Sequence, residues 1–157
     1  MASQTSVDMR GLDGVVQKMK ALPVKLQRSG LRKAARRAMN IVRDAAKANA
    51  KALDDPATAE KVWKNIATQE SAKRSRQVGG VVMRVGVRGG AGSNQHSKEA
   101  AGNPGGDTRH WRYIEFGTEH TPAVPFMRPA FQSNVQNVTD KFASELIKEI
   151  DAALGGI

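Results

Sequence analysis

The stretch from Val24 to about Leu53 constrains the fold of this chain more than any other. Through an Ala, Arg and Lys-rich run, Leu31, Ala34, Ala35, Ala38, Ile41, Val42, Ala45 and Ala46 recur at steps of three and four residues. Such spacing gathers apolar side chains along an α-helix, and Ala, Arg and Lys all favour helix. The pattern predicts one long amphipathic helix. A shorter one precedes it, in which Leu12, Val15, Val16 and Met19 keep helical spacing until Leu22 and Pro23 end the run.

A second long helix is predicted from Phe126 to Leu154. There Phe131, Val135, Val138, Phe142, Leu146, Ile150 and Leu154 keep an almost unbroken period, Pro129 falls near the start, and Gly155 and Gly156 close the run. Between the long helices Asp54, Asp55 and Pro56 interrupt the pattern, and Val62, Trp63 and Ile66 suggest a brief helical or irregular segment. Residues 78–87, VGGVVMRVGV, set β-branched residues on both sides of Gly79 and Gly80, which predicts a hairpin or one bulged strand. Trp111, Tyr113, Ile114 and Phe116 mark a strand or a short helix, which pattern alone does not separate. The order of elements gives an α+β fold, with two long amphipathic helices packed on a small, mainly antiparallel sheet. At 157 residues, a single domain spanning 1–157 is expected.

Residues 88–107, RGGAGSNQHSKEAAGNPGGD, hold six glycines and no large apolar side chain. Burial cannot offset the entropy of ordering such a segment, so a long Gly-rich loop is expected, mobile when the protein is alone. The chain has no cysteine, which excludes disulfides, thiolate nucleophiles, iron–sulfur centres and Cys-containing zinc sites. His96, His110 and His120 lack the spacing of a zinc-binding helical pair and read as solvated loop residues. Glu115 and Glu119 lack an accompanying nucleophile or metal-ligand set, and the loop glycines lack the P-loop pattern. No catalytic residue, metal site or cofactor is expected, and the chain does not read as an enzyme. The N-terminus lacks the basic start and apolar run of a signal peptide, and no stretch approaches the length of a membrane span. A soluble, unprocessed protein without a membrane partner is expected.

The 25 Lys and Arg against 15 Asp and Glu give a net charge of +10. It is unevenly spread: residues 1–52 carry +9, 53–110 carry +3, and 111–157 carry −2. On the first long helix Arg28, Arg32, Arg36, Arg43, Lys47 and Lys51 recur close to one face, a candidate basic contact surface. Clustered cations suffice for non-specific phosphate binding, but aromatic stacking residues, a helix-turn-helix and a zinc finger are all missing. The plainer reading is a solvated helix face or a contact with acidic partners. The asymmetry between the two ends also suits copies that meet head to tail.

The most unusual segment is Trp111–Phe131, WRYIEFGTEHTPAVPFMRPAF. Glu115 sits among apolar residues, Gly117 marks a tight turn, and Pro122, Pro125 and Pro129 restrict the backbone beyond it. A rigid connection carrying Phe126 and Met127 to the mouth of the last helix is expected. Arg128 near a helix start is mildly unfavourable against the dipole, unless it pairs with Glu115 and locks the connection.

The pieces IEFGT (Ile114–Thr118) and PFMRPAF (Pro125–Phe131), behind helices reading GLDGVVQKMKALP and RKAARRAMNIVRDAAKANA, resemble the neck and tail-completion proteins of long-tailed bacteriophages, related to the minor tail protein Z group. Family members commonly place a TG-like turn after the first long helix, whereas this chain reads DDPATAEKVWKNI there (Asp54–Ile66). The resemblance makes Glu115, Phe116, Gly117, Thr118, Pro125, Phe126, Arg128 and Pro129 the candidate motif residues. It implies a structural virion protein, without catalysis, that completes the tail at the head–tail junction. A homo-oligomeric ring, sixfold like the tail tube, is then expected. Its implied partners are adjacent neck and tail proteins (tail terminator, tail tube, head-closure ring), with genomic DNA a possible contact. Its place is the tail or neck of the virion, after assembly in the host cytoplasm. The alternative is a non-specific nucleic-acid-binding protein using the basic first helix.

Overall fold

The computed structural model describes residues 13–88 and 102–155. Its spine is a 29-residue helix, α2 (Val24–Ala52), reached from α1 (Asp13–Lys20) through Pro23. Pro23 starts α2 as well as ending the run before it, because its φ of −54° suits the start of a helix and its carbonyl accepts from Leu26 and Gln27. The residues of α2 that become buried are Ala34, Ala38, Val42, Ala46 and Ala50. Steps of four overshoot the helical repeat of 3.6, so this stripe winds round the axis by about 40° per step. The winding decides what each half of α2 covers.

The first half of α2 packs on α1 and on α7 (Val135–Gly155), around Leu22, Ala34, Leu146 and Ile150. The second half meets α3 (Val62–Asn65), the sheet and α6 (Met127–Gln132), around Val42, Ala46, Ala50, Val62, Ile66, Val87, Phe126 and Ala130. Alanine at the contact positions lets partner backbones approach closely, and Phe126 is the largest fully buried side chain. The α+β architecture expected from the element order is therefore present, organised on α2.

The sheet pairs β1 (Ile66–Glu70) antiparallel with β2 (Met83–Val87), Ile66 opposite Val87 and Glu70 opposite Met83. The hairpin expected within residues 78–87 is corrected here, since the partner of β2 lies upstream at β1. Between the strands runs α4 (Ala72–Val78), and Gly79 at φ +66° is its left-handed C-cap rather than a hairpin turn. The amide of Ser71 donates to Val82 O and the amide of Val82 to Ser75 Oγ, which closes the excursion.

The apolar segment at Trp111–Phe116 is a helix, α5. The single helix expected from Phe126 to Leu154 is instead two, α6 and α7. At Ser133 and Asn134 the turn tightens, the amide of Asn134 bonding Phe131 O, and the Asn134 side chain takes Ala130 O at 2.9 Å. A side-chain amide thus replaces the main-chain donor that would have continued the helix.

Within the expected loop, residues 89–101 lie outside the described residues, while 102–107 are ordered, contrary to expectation. Asn65, fully buried at the end of α3, explains why. Its Oδ1 accepts the Gly105 amide at 2.7 Å, and its Nδ2 donates to Gly106 O at 2.9 Å and Thr108 Oγ1 at 2.7 Å. Its own carbonyl accepts the Arg88 amide at 2.9 Å, and the Lys61 amide donates to Gly105 O at 2.8 Å. Only glycine fits at 105, where a Cβ would stand 2.0 Å from Lys61 O.

Candidate functional site

The segment joining α5 to α6 is built round Glu115, whose side chain is 1% exposed. One carboxylate oxygen, Oε2, accepts the amides of Phe126 at 2.7 Å and Met127 at 2.9 Å. The other, Oε1, accepts the Arg128 amide and Arg128 Nε, both at 3.1 Å. Arg128 Nη2 also donates to the Glu115 carbonyl at 2.7 Å. Glu115 therefore does from eleven residues upstream what an N-cap side chain does locally: it satisfies the free amides of the first turn of α6 and sets a negative charge at that end. Burial on its own raises the Glu115 pKa, but the amides of Met127, Phe126 and Arg128 and the guanidinium outweigh it and hold the carboxyl below its ordinary range.

The neighbouring motif residues make this reach possible. Gly117 adopts φ +75°, and a Cβ there would stand 2.8 Å from both Ala123 N and Thr121 O. Thr118 Oγ1 accepts the Thr121 amide at 3.0 Å and its own amide donates to Thr121 O at 2.8 Å, turning the chain back. The Val124 amide then bonds Ile114 O, and Asn49 of α2 donates to Phe126 O at 3.1 Å. Pro125 precedes Phe126, the N-cap of α6, and Pro129 falls in the first turn, where no intrahelical donor is required. Phe126 points into the core, whereas Phe116 is 60% exposed with the Arg128 guanidinium 5.2 Å from its ring centre. Tyr113 on α5, Val124 on the connection and Phe131 on α6 are exposed as well.

The six candidate basic residues do not form one uniform face, because the buried stripe winds across their arc. Arg32 pairs with Glu70 at 2.6 Å, and Arg36 donates to Thr68 O at 3.4 Å, both on β1. Arg43 bonds Asp44 and Asn40, and Lys51 lies 5.2 Å from the centre of the Trp63 ring. Among the described residues Arg28 and Lys47 make no ion pair. A different side of α2 holds Lys33 and Arg37, which engage Glu149 and Glu145 of α7 at 2.7–3.1 Å. Glu145 also takes Lys141 at 2.9 Å and Lys148 at 3.3 Å. Bonds from Lys141 first, then Arg37, lower its pKa to about 2. Three of the six acidic residues in the last third, Glu145, Glu149 and Asp151, are thus paired with the basic first third, Asp151 through Lys18 at 3.6 Å.

Comparison with family models places residues 13–117 in the family described as "Bacteriophage HK97-gp10, putative tail-component". The chain belongs to this family. No curated protein and no solved structure gives a match. The matched span of the tail component takes in α1 through α5 and ends at Gly117, so it includes Glu115 but stops before Pro125–Phe131. The family makes the protein a structural part of a phage tail, and so of the virion. Among the described residues no helix is long and apolar enough to cross a membrane, and no group of three or more His, Asp or Glu is placed to hold a metal ion.

Sequence reasoning had no access to two of the tail component's organising residues. Asn65 reads as an ordinary polar residue, since nothing local shows that it will be buried opposite Gly105. Glu145 gives only a faint signal, its spacing of four and three from Lys141 and Lys148, while its contact with Arg37 joins residues 108 positions apart.

Proposed function

We propose that this tail component completes the tail at the head–tail junction as a sixfold homo-oligomeric ring, making it competent to join a filled head. Its role is structural rather than catalytic, and its partners are the adjacent neck and tail proteins: tail terminator, tail tube and head-closure ring. The observation that carries this reading is the connection locked by Glu115. A buried carboxylate with every acceptor position used holds the exposed Tyr113, Phe116, Val124 and Phe131 in a fixed arrangement on one domain built round α2. Rigid apolar surface of this kind suits an assembly contact better than a loop that must order on binding.

The test is genetic. Without the protein, filled heads and finished-looking tails should accumulate unjoined, and adding purified protein to such an extract should restore joining. Infectious, joined particles formed without it would overturn the reading. The alternative, non-specific nucleic-acid binding through Arg28, Arg32, Arg36, Arg43, Lys47 and Lys51, draws less support, because three of the six are already engaged with Glu70, Asp44 or Trp63. It expects tight duplex binding by the purified protein that weakens steeply with salt.

A further inference from the structure

Two unlike charged surfaces lie near opposite ends of α2. Near its start, Arg28 and Arg32 of α2 and Arg76 of α4 line a recess of about 290 Å³ together with Glu70 and Ser75. Three guanidinium groups face one carboxylate, and that carboxylate is committed to Arg32 at 2.6 Å. Arg76 Nε bonds Ala72 O of its own helix, and among the described residues neither Arg28 nor Arg76 has an acidic partner. The recess therefore carries a net charge of about two positive units. Just beyond the other end of α2, Asp54, Asp55 and Glu60 rim a second hollow floored by Val62, Ile114 and Phe126. Lys61 takes the Asp54 carboxylate and the Asp55 carbonyl, both at 2.9 Å, while among the described residues the carboxylates of Asp55 and Glu60, both exposed residues, have no ion-pair partner. This turn carries about two negative units.

We propose that copies of this chain bind head to tail, the Arg28–Arg32–Arg76 recess of one copy receiving the Asp54, Asp55 and Glu60 turn of the next. The proposal rests on the ring reading above and supplies its contact. Charge complementarity selects the occupant, because Glu145 and Glu149, the other strong acidic group, are held by Arg37 and Lys33 of their own chain. Position selects the mode. From Arg28 to Ala52, just before the acidic turn, the helix rises about 36 Å. Two different surfaces so far apart on one rigid strut form a heterologous contact, the kind that repeats round a ring. Exposed ion pairs contribute little apiece, so the contact sets orientation and register while apolar surface supplies most of the affinity.

Charge reversal tests this. Variant one is Arg28→Glu with Arg76→Glu, and variant two is Asp55→Lys with Glu60→Lys; circular dichroism checks that each folds. Sedimentation at low salt should show each variant alone self-associating more weakly than the unaltered protein by more than about tenfold. Mixing the two, or combining all four changes in one chain, should restore association. A second measurement uses the lack of cysteine. Asp55→Cys with Arg76→Cys, treated with a bifunctional maleimide in assembled particles, should give a ladder of covalent multimers that neither single variant gives.

Unchanged association of both variants, failure of the mixture to restore it, or absence of the ladder from particles would overturn the contact. If rings still form in those cases, the ring reading survives and the interface lies elsewhere. If particles hold isolated copies, both fail. Duplex DNA binding that variant one loses, without rescue on mixing, would make the recess a phosphate site and also overturn the proposal.

Discussion

Glu115 concentrates much of the risk in this molecule, because three amides and a guanidinium depend on one buried carboxylate. Glu115→Ala should cost about 3–5 kcal/mol in urea unfolding, the range for breaking a buried charged interaction. Glu115→Gln keeps the volume and one acceptor, so roughly 1.5–3 kcal/mol is expected. A double-mutant cycle with Arg128→Ala should give a coupling of about 1 kcal/mol, reduced because the Arg128 side chain is half exposed. Zero coupling would leave the amides as the whole of the effect. Asn65 and Gly105 form the second such point. Gly105→Ala forces a carbon against Lys61 O and should lose at least about 2 kcal/mol, while Gly80→Ala, whose new carbon meets nothing nearer than 3.7 Å, should be close to neutral. Equal effects at the two glycines would show that the foot of the 89–101 segment relaxes more easily than its packing indicates.

At the scale of elements, α2 tolerates one glycine that its packing does not require. A Cβ at Gly30 would make an ordinary 3.5 Å contact with Glu149 Cβ, so Gly30→Ala should raise stability by about 0.5–1 kcal/mol, read as a higher melting temperature. A lower one would mean that α2 and α7 need closer approach there. Helices α1 and α2 were legible in the sequence because their apolar spacing is local information, and the same spacing correctly marked the residues of α7. It did not mark the break before α7. Phe131 and Val135 stay in phase across the turn, and only the side-chain bond of Asn134 reveals it. Strand β1 was hidden because IATQE follows VWKN without punctuation, and its pairing with Met83–Val87 is fixed by an excursion through α4. At the candidate site, the Glu115–Arg128 pair could be guessed from thirteen residues of restricted chain. The amide cage could not, since it depends on how Gly117 aims the returning backbone.

Across the whole molecule, charge does a different task from the one its distribution along the chain suggested. Lys33, Arg37, Glu145 and Glu149 tie α2 to α7, and Arg32 ties α2 to β1 through Glu70, whose pKa that guanidinium lowers. Glu70, Glu115 and Glu145 all have folded values below their ordinary 4.5. A carboxyl lowered by folding stabilises fully above its unfolded pKa and loses that contribution as pH falls through the folded one. The melting temperature should therefore hold steady above about pH 5 and fall progressively toward pH 2, near the folded value of Glu145. Glu145→Gln should flatten that decline, and an unchanged acid limb would mean the hub does not couple to folding. The clamp at Asn65 has another consequence. By fixing Arg88 and Gly105 on one residue, it brings the two ends of the intervening stretch together at a single point. Doubling the length of such a stretch costs only about 0.6 kcal/mol in closure entropy. An epitope or fluorophore-binding peptide spliced between 89 and 101 should accordingly lower the melting temperature of the tail component by only about 1–3 °C.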